Sequence, residues 1–70
     1  MIGQIKSINN DKMFGFIRYG TVDYFFHVSA FQGDWKRLAA AVANGEKIDV
    51  EFQEEYSKKG PRATEVRIFE

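Results

Sequence analysis

Lys12-Met13-Phe14-Gly15-Phe16-Ile17-Arg18-Tyr19 and Val22-Asp23-Tyr24-Phe25-Phe26-His27-Val28 are the segments whose reading decides the fold. Both are rich in aromatic and β-branched residues, which favour a pleated surface. Only Gly20 and Thr21 separate them, so the spacing predicts an antiparallel hairpin. Successive side chains of a strand point to opposite faces. Phe14, Phe16 and Arg18 therefore share one face, and Met13, Gly15 and Ile17 share the other. In the second strand Phe25 and His27 oppose Tyr24, Phe26 and Val28. Whichever face is buried, large rings are left on the other, and clustered exposed rings are a liability unless they bind something. With Ile17 and Phe26 turned inward, the outer face displays Phe14, Phe16, Phe25 and His27, flanked by Lys6, Lys12 and Arg18. Gly15 then permits close packing or a bend in the wall.

Outward from this hairpin, turn signals at Asn9-Asn10-Asp11, Gly33-Asp34, Asn44-Gly45 and Ser57 to Pro61 divide the chain into short segments. Ile2 to Ile8 reads as a strand, although its apolar residues Ile2, Ile5 and Ile8 recur at a spacing that fits neither strand nor helix. Lys47 to Phe52 alternates, with Ile48, Val50 and Phe52 inward. Ala63 to Phe69 closes the chain as a strand with Val66 and Ile68 on one face. Glu51, Glu54 and Glu55 read as a solvated strand edge. Between the third and fourth strands, Asp34 caps a helix over Trp35 to Ala43, and Asn44-Gly45 ends it. Leu38 and Val42 form one stripe of this helix, which is too short to stand alone and must pack on the sheet. The pattern predicts a single all-β domain over residues 1–70, a small barrel or sandwich of five strands with one short helix.

Composition narrows the function. The 70 residues include no cysteine and one histidine, which excludes a disulfide framework and leaves no ligand set for zinc. No metal or cofactor is expected. With 44% apolar and 29% charged residues the chain is a globular domain rather than a disordered tail. No apolar run approaches the roughly 20 residues of a membrane span and no signal-peptide pattern is present, so a cytoplasmic, membrane-free setting is expected. Ten basic residues balance ten acidic ones. Residues 1–37 carry a net +2 and the remainder a net −2, which allows one mildly positive face. His27 lacks a nucleophile partner, and neither a phosphate loop nor a hydrolase elbow is present, so no catalytic residue is assigned and the chain reads as a non-enzyme.

Rows of rings with cations at their margin suit single-stranded nucleic acid, whose bases stack on the rings and whose phosphates meet the cations. The same rings also suit a second hydrophobic layer under the helix, or an interface with a protein partner or a second copy of the chain. Both readings stand on spacing alone.

Lys12-Met13-Phe14-Gly15-Phe16-Ile17 resembles the first ribonucleoprotein motif of the cold-shock domain family, whose usual form is Lys-Gly-Phe-Gly-Phe-Ile. Asp23-Tyr24-Phe25-Phe26-His27-Val28-Ser29-Ala30 is similar to its second motif. Gly3-Gln4-Ile5-Lys6, Asn9 and Lys12, Gly45-Glu46-Lys47, and Lys59-Gly60-Pro61-Arg62-Ala63 extend the resemblance over nearly the whole chain. It implies a five-stranded antiparallel Greek-key barrel of the oligonucleotide-binding type that stacks bases of single-stranded RNA or DNA on strands two and three, and the chain's small size predicts a monomer. It further implies a role as an RNA chaperone or a regulator of gene expression. Phe14, Phe16, Phe25 and His27 are the expected stacking residues. Lys6, Lys12, Arg18 and Arg62 are the expected phosphate contacts, and Trp35 is expected to cover one more base. The chain also departs from the family's pattern. Ser7 stands where the family has a stacking Trp, Ile8 and Val28 replace Phe, Met13 replaces Gly, and Gln4 replaces a frequent Lys. The missing Trp predicts weak binding with little sequence preference. Together with the zero net charge and the Ala-rich helix, it keeps a protein-interaction module as the alternative.

Overall fold

The computed structural model describes residues 1–69. Strands β1 (Ile2–Asn9), β2 (Phe14–Tyr19) and β3 (Val22–His27) form an antiparallel meander. A single 3-10 turn (Val28–Ala30) and helix α1 (Trp35–Ala43) follow, and then the hairpin of β4 (Asp49–Ser57) and β5 (Gly60–Ile68). The strands close into a barrel in the order β1-β2-β3-β5-β4. Every pairing is antiparallel except the closure of β3 on β5, where Phe25 lies opposite Arg62.

The alternation read in the hairpin is realised. Ile17, Tyr24 and Phe26 are buried and join Ile5, Val50, Phe52, Ala63 and Val66 in one core. Gly15 is where that core touches the wall. A Cβ there would lie 2.7 Å from Ile8 Cδ1 and 2.9 Å from Phe26 Cε1, closer than any side chain tolerates.

The spacing of Ile2, Ile5 and Ile8 has a structural cause. Ile5 pairs with Ile17, but Ser7 pairs with Phe16, so Lys6 is an extra residue bulged out of the ladder. The bulge resets the alternation, so that Ile5 is buried and Ile8 packs against the same core. A second irregularity lies in β5, where Gln53 pairs with Thr64 although Glu51 pairs with Arg67. Glu65 there adopts φ 49°, and its insertion puts both Ala63 and Val66 into the core.

The fourth and fifth strands run further toward their turn than the alternating segments alone indicate. Pairing continues to Ser57 opposite Gly60. The Ser57 hydroxyl donates to the Gly60 carbonyl (3.1 Å) and accepts from the Lys59 amide (3.2 Å), which fixes the reversal. Pairing of β4 with β1 ends at Glu51, so Glu54 and Glu55 lie exposed on a stretch of β4 paired only with β5, as expected of a solvated edge, while Glu51 is drawn into the closed wall. Glu51 pairs with Arg67, and Glu54 accepts a 2.7 Å hydrogen bond from the Tyr24 hydroxyl.

Helix α1 packs against the core through Trp35 and Leu38. Asp34 Oδ1 accepts from the Arg37 amide at 3.2 Å, the expected N-cap. At the other end the amides of Asn44, Gly45 and Glu46 return to the carbonyls of Ala40, Val42 and Ala41, with Gly45 at φ 81°. No helix among the described residues is long and apolar enough to cross a membrane.

Candidate nucleic-acid interface

The outer face of β2 and β3 carries a triangle of phenyl rings. Phe14 and Phe25 have centroids 5.4 Å apart, Phe14 and Phe16 5.8 Å, and Phe16 and Phe25 5.9 Å. Register explains the cluster. Phe16 lies opposite Phe25, and Phe14 lies opposite His27. All three rings are half-buried by one another, while His27 is exposed. The His27 Nδ1 accepts from the Ser29 amide at 3.2 Å, so the ring is oriented by the turn that follows β3. Beside Phe16 and Phe25 lies a cleft of about 410 Å³, walled by Ser57, Lys59, Gly60, Pro61 and Arg62 of the β4–β5 turn.

The cations are less uniform than the sequence suggests. Arg62 reaches the face through the β3–β5 closure, and Lys12 sits in a loop whose amides at Asp11 and Lys12 donate to Asn9 Oδ1. Neither has an ion-pair partner among the described residues. Lys6 and Arg18 do. Asp23 Oδ2 accepts from Lys6 Nζ at 2.7 Å, and Asp23 Oδ1 accepts from Arg18 Nε at 2.5 Å. These hydrogen bonds, Lys6 first and then Arg18, hold the Asp23 carboxyl below its usual range. Next to Asp23 on β3 but on the inner face, the Tyr24 hydroxyl is raised above its ordinary range by its bond to Glu54 and then by the neighbouring Tyr56.

Trp35 is a correction. Expected to cover a base, it is only 6% exposed at the start of α1. Its ring packs edge-on against Phe26 (5.8 Å) and Phe31 (6.1 Å), and its Nε1 donates to Asn10 Oδ1 at 3.2 Å. The ring joins the helix to the barrel and is largely covered. Its position at the helix start was legible, but its direction was set by packing against Phe26 and Phe31.

The chain matches the family described as the 'Cold-shock' DNA-binding domain over residues 1–69. It belongs to the cold-shock domain family. That family is one of nucleic-acid-binding domains rather than enzymes. This cold-shock domain is 39% identical over 66 residues to the cold shock-like protein CspC of Shigella flexneri, covering 91% of this chain and 88% of the relative. It is 37% identical over 67 residues to the cold shock-like protein CspB of Bacillus cereus, covering 94% and 95%. The major cold shock protein CspA of Bacillus cereus is 38% identical over 65 residues, with 91% and 90% covered.

The departures from the family's pattern have definite places in this cold-shock domain. Ser7 is exposed directly opposite Phe16 on the outer face, where it offers no ring. Ile8 and Val28 pack against the core. Met13, in place of the family's Gly, stands at φ 60°, a left-handed conformation that costs an L-residue about 1–2 kcal/mol. Two parts of the interface were not singled out from the sequence. One is the Asp23 carboxylate between Lys6 and Arg18. The other is the wall at Lys59 and Pro61 beside the rings, for which the only signal was the resemblance of that turn to the family.

Proposed function

We propose that this cold-shock domain binds single-stranded RNA or DNA by stacking bases on Phe14, Phe16, Phe25 and His27. Binding is weak and has little sequence preference, as suits an RNA chaperone or a regulator of gene expression. The observation that carries this reading is the triangle of half-exposed rings on the outer face of β2 and β3, all centroids within 5.9 Å of one another. A patch of this kind is a liability in water unless something covers it, and separate ring faces suit planar bases. Bases present free π faces only when unpaired, so duplex is excluded from the platform. Arg62 stands beside Phe25 to meet phosphate, Lys12 is assigned the same role from the loop before β2, and Pro61 extends the apolar wall beside Phe16 and Phe25.

Titration of labelled oligo-dT and oligo-U with NMR shift mapping tests this directly. The largest shifts are expected at Phe14, Phe16, Phe25 and His27, with duplex of the same length binding far more weakly. Shifts centred on Glu51 to Glu55, or equal affinity for duplex, would refute it. Loss of the monomer on sedimentation, with no oligonucleotide bound, would instead favour the protein-interaction reading.

A further inference from the structure

Four cations were assigned to phosphate from the sequence, and the structure divides them into two kinds. Lys12 and Arg62 have no ion-pair partner among the described residues. Lys6 and Arg18 converge on one carboxylate, each holding a different oxygen of Asp23. Three separate strands supply the three groups, and the strand pairing explains their meeting. Arg18 is directly opposite Asp23 on β3, and Lys6 is the bulged residue of β1 on the other side of β2. A bulge turns a side chain out of the regular ladder, which frees Lys6 to reach across Arg18's strand. The three are partly exposed, with side-chain accessibilities of 47% for Lys6, 49% for Arg18 and 34% for Asp23. They border the ring platform, since Phe16 and Phe25 pair two residues further along the same two strands, on the same face.

We propose that Asp23 is an internal counterion that occupies Lys6 and Arg18, so that this edge of the platform offers phosphate one net positive charge instead of two. The inference rests on the nucleic-acid reading above and adds the residue that limits its electrostatic part. A phosphate arriving at Lys6 or Arg18 must displace a carboxylate already placed with good geometry, and the displaced charge stays within the site. The ion pairs are exposed, so each holds its cation only modestly. The effect is therefore a graded weakening of phosphate contact rather than a closed gate. Asp23 thus favours base stacking over backbone attraction as the source of affinity.

The test compares the wild type with Asp23→Asn, which keeps the shape and removes the charge. Fluorescence titrations with oligo-dT across a salt series read both affinity and slope. Each phosphate contact on a single strand contributes roughly 0.7 to the log–log salt slope. Asp23→Asn is expected to steepen the slope by about 0.7 to 1.4 and to tighten low-salt binding by about 2- to 25-fold, the equivalent of two released surface pairs. Lys6→Gln completes a cycle: the slope it takes away is expected to be smaller in the wild type, where Asp23 occupies the cation, than in the Asp23→Asn background, and equal losses overturn the counterion role. Thermal unfolding of each variant confirms that the folded state is being compared. An unchanged slope with binding intact overturns the counterion role and leaves the nucleic-acid reading standing. Weaker binding by folded Asp23→Asn also overturns it, and shows that the carboxylate itself contacts a base. Absence of binding by both proteins overturns both readings.

Discussion

Both faces of the β2–β3 hairpin carry large apolar side chains, and these meet opposite fates. Inward, Ile17, Tyr24 and Phe26 are between 0% and 3% exposed and touch side chains from every other strand. Outward, Phe14, Phe16 and Phe25 pack on one another and stay half-exposed, with the β4–β5 turn beside them. Hydrophobicity does not separate the two sets, because both are aromatic or aliphatic throughout. What separates them is whether the protein supplies a second layer. The inner rings have one in β4, β5 and α1, so their burial stabilises the fold. The outer rings have none, so the free energy of covering them remains available to a ligand.

The sharpest way to break this comparison is to truncate one ring on each face. Phe26→Ala removes a fully buried ring that also supports Trp35, and should cost about 3–5 kcal/mol. In a domain this small that is most or all of the stability, so urea or thermal denaturation should show a largely unfolded chain. Phe25→Ala should leave the melting transition nearly in place while weakening oligo-dT binding by about 1–3 kcal/mol. Equal destabilisation by the two variants would mean that the outer rings are a structural layer after all.

Ser7→Trp sharpens the comparison from the other side. Residue 7 lies opposite Phe16 on the outer face and is exposed. An indole there extends the platform by one ring without entering the core. Affinity for oligo-dT should rise by about 5- to 150-fold, the equivalent of 1–3 kcal/mol of stacking, with little change in stability. A folded Ser7→Trp protein with unchanged affinity would place the bases elsewhere.

The smallest effect is expected at the boundary between the faces. Met13 adopts φ 60° just before β2, a conformation open to glycine at no steric cost. Met13→Gly relieves that strain but gives up some packing of a partly exposed side chain and adds freedom to the unfolded chain. The net should be a gain of up to about 1 kcal/mol in urea denaturation, with binding unchanged. A loss of stability would show that the Met13 side chain, which lines the groove between Ile8 and α1, contributes more than its backbone costs.

Much of this was legible in the sequence because it is decided by near neighbours. The faces of β2 and β3 follow from strict alternation, and their pairing follows from a two-residue turn. The ends of α1 follow from Asp34 and Gly45, whose side chain and backbone act within a few residues of themselves. The motif around Phe14 and Phe25 carried the family as well, since both halves of the platform lie in one hairpin.

Only the tertiary structure decided the rest, and the reason is the same each time. The bulges at Lys6 and Glu65 depend on which residue of another strand lies opposite, which no period along one strand records. Trp35 turns inward because Phe26 and Phe31 converge beneath it, and its Nε1 finds Asn10 across 25 positions of chain. Arg62 stands beside Phe25 only because β5 closes the barrel against β3. Asp23 meets Lys6 only because β1 and β3 flank the same strand. The alternating pattern determines which way each hairpin side chain points. The closure of the barrel determines what it points at, and so which charges on the platform are free to act.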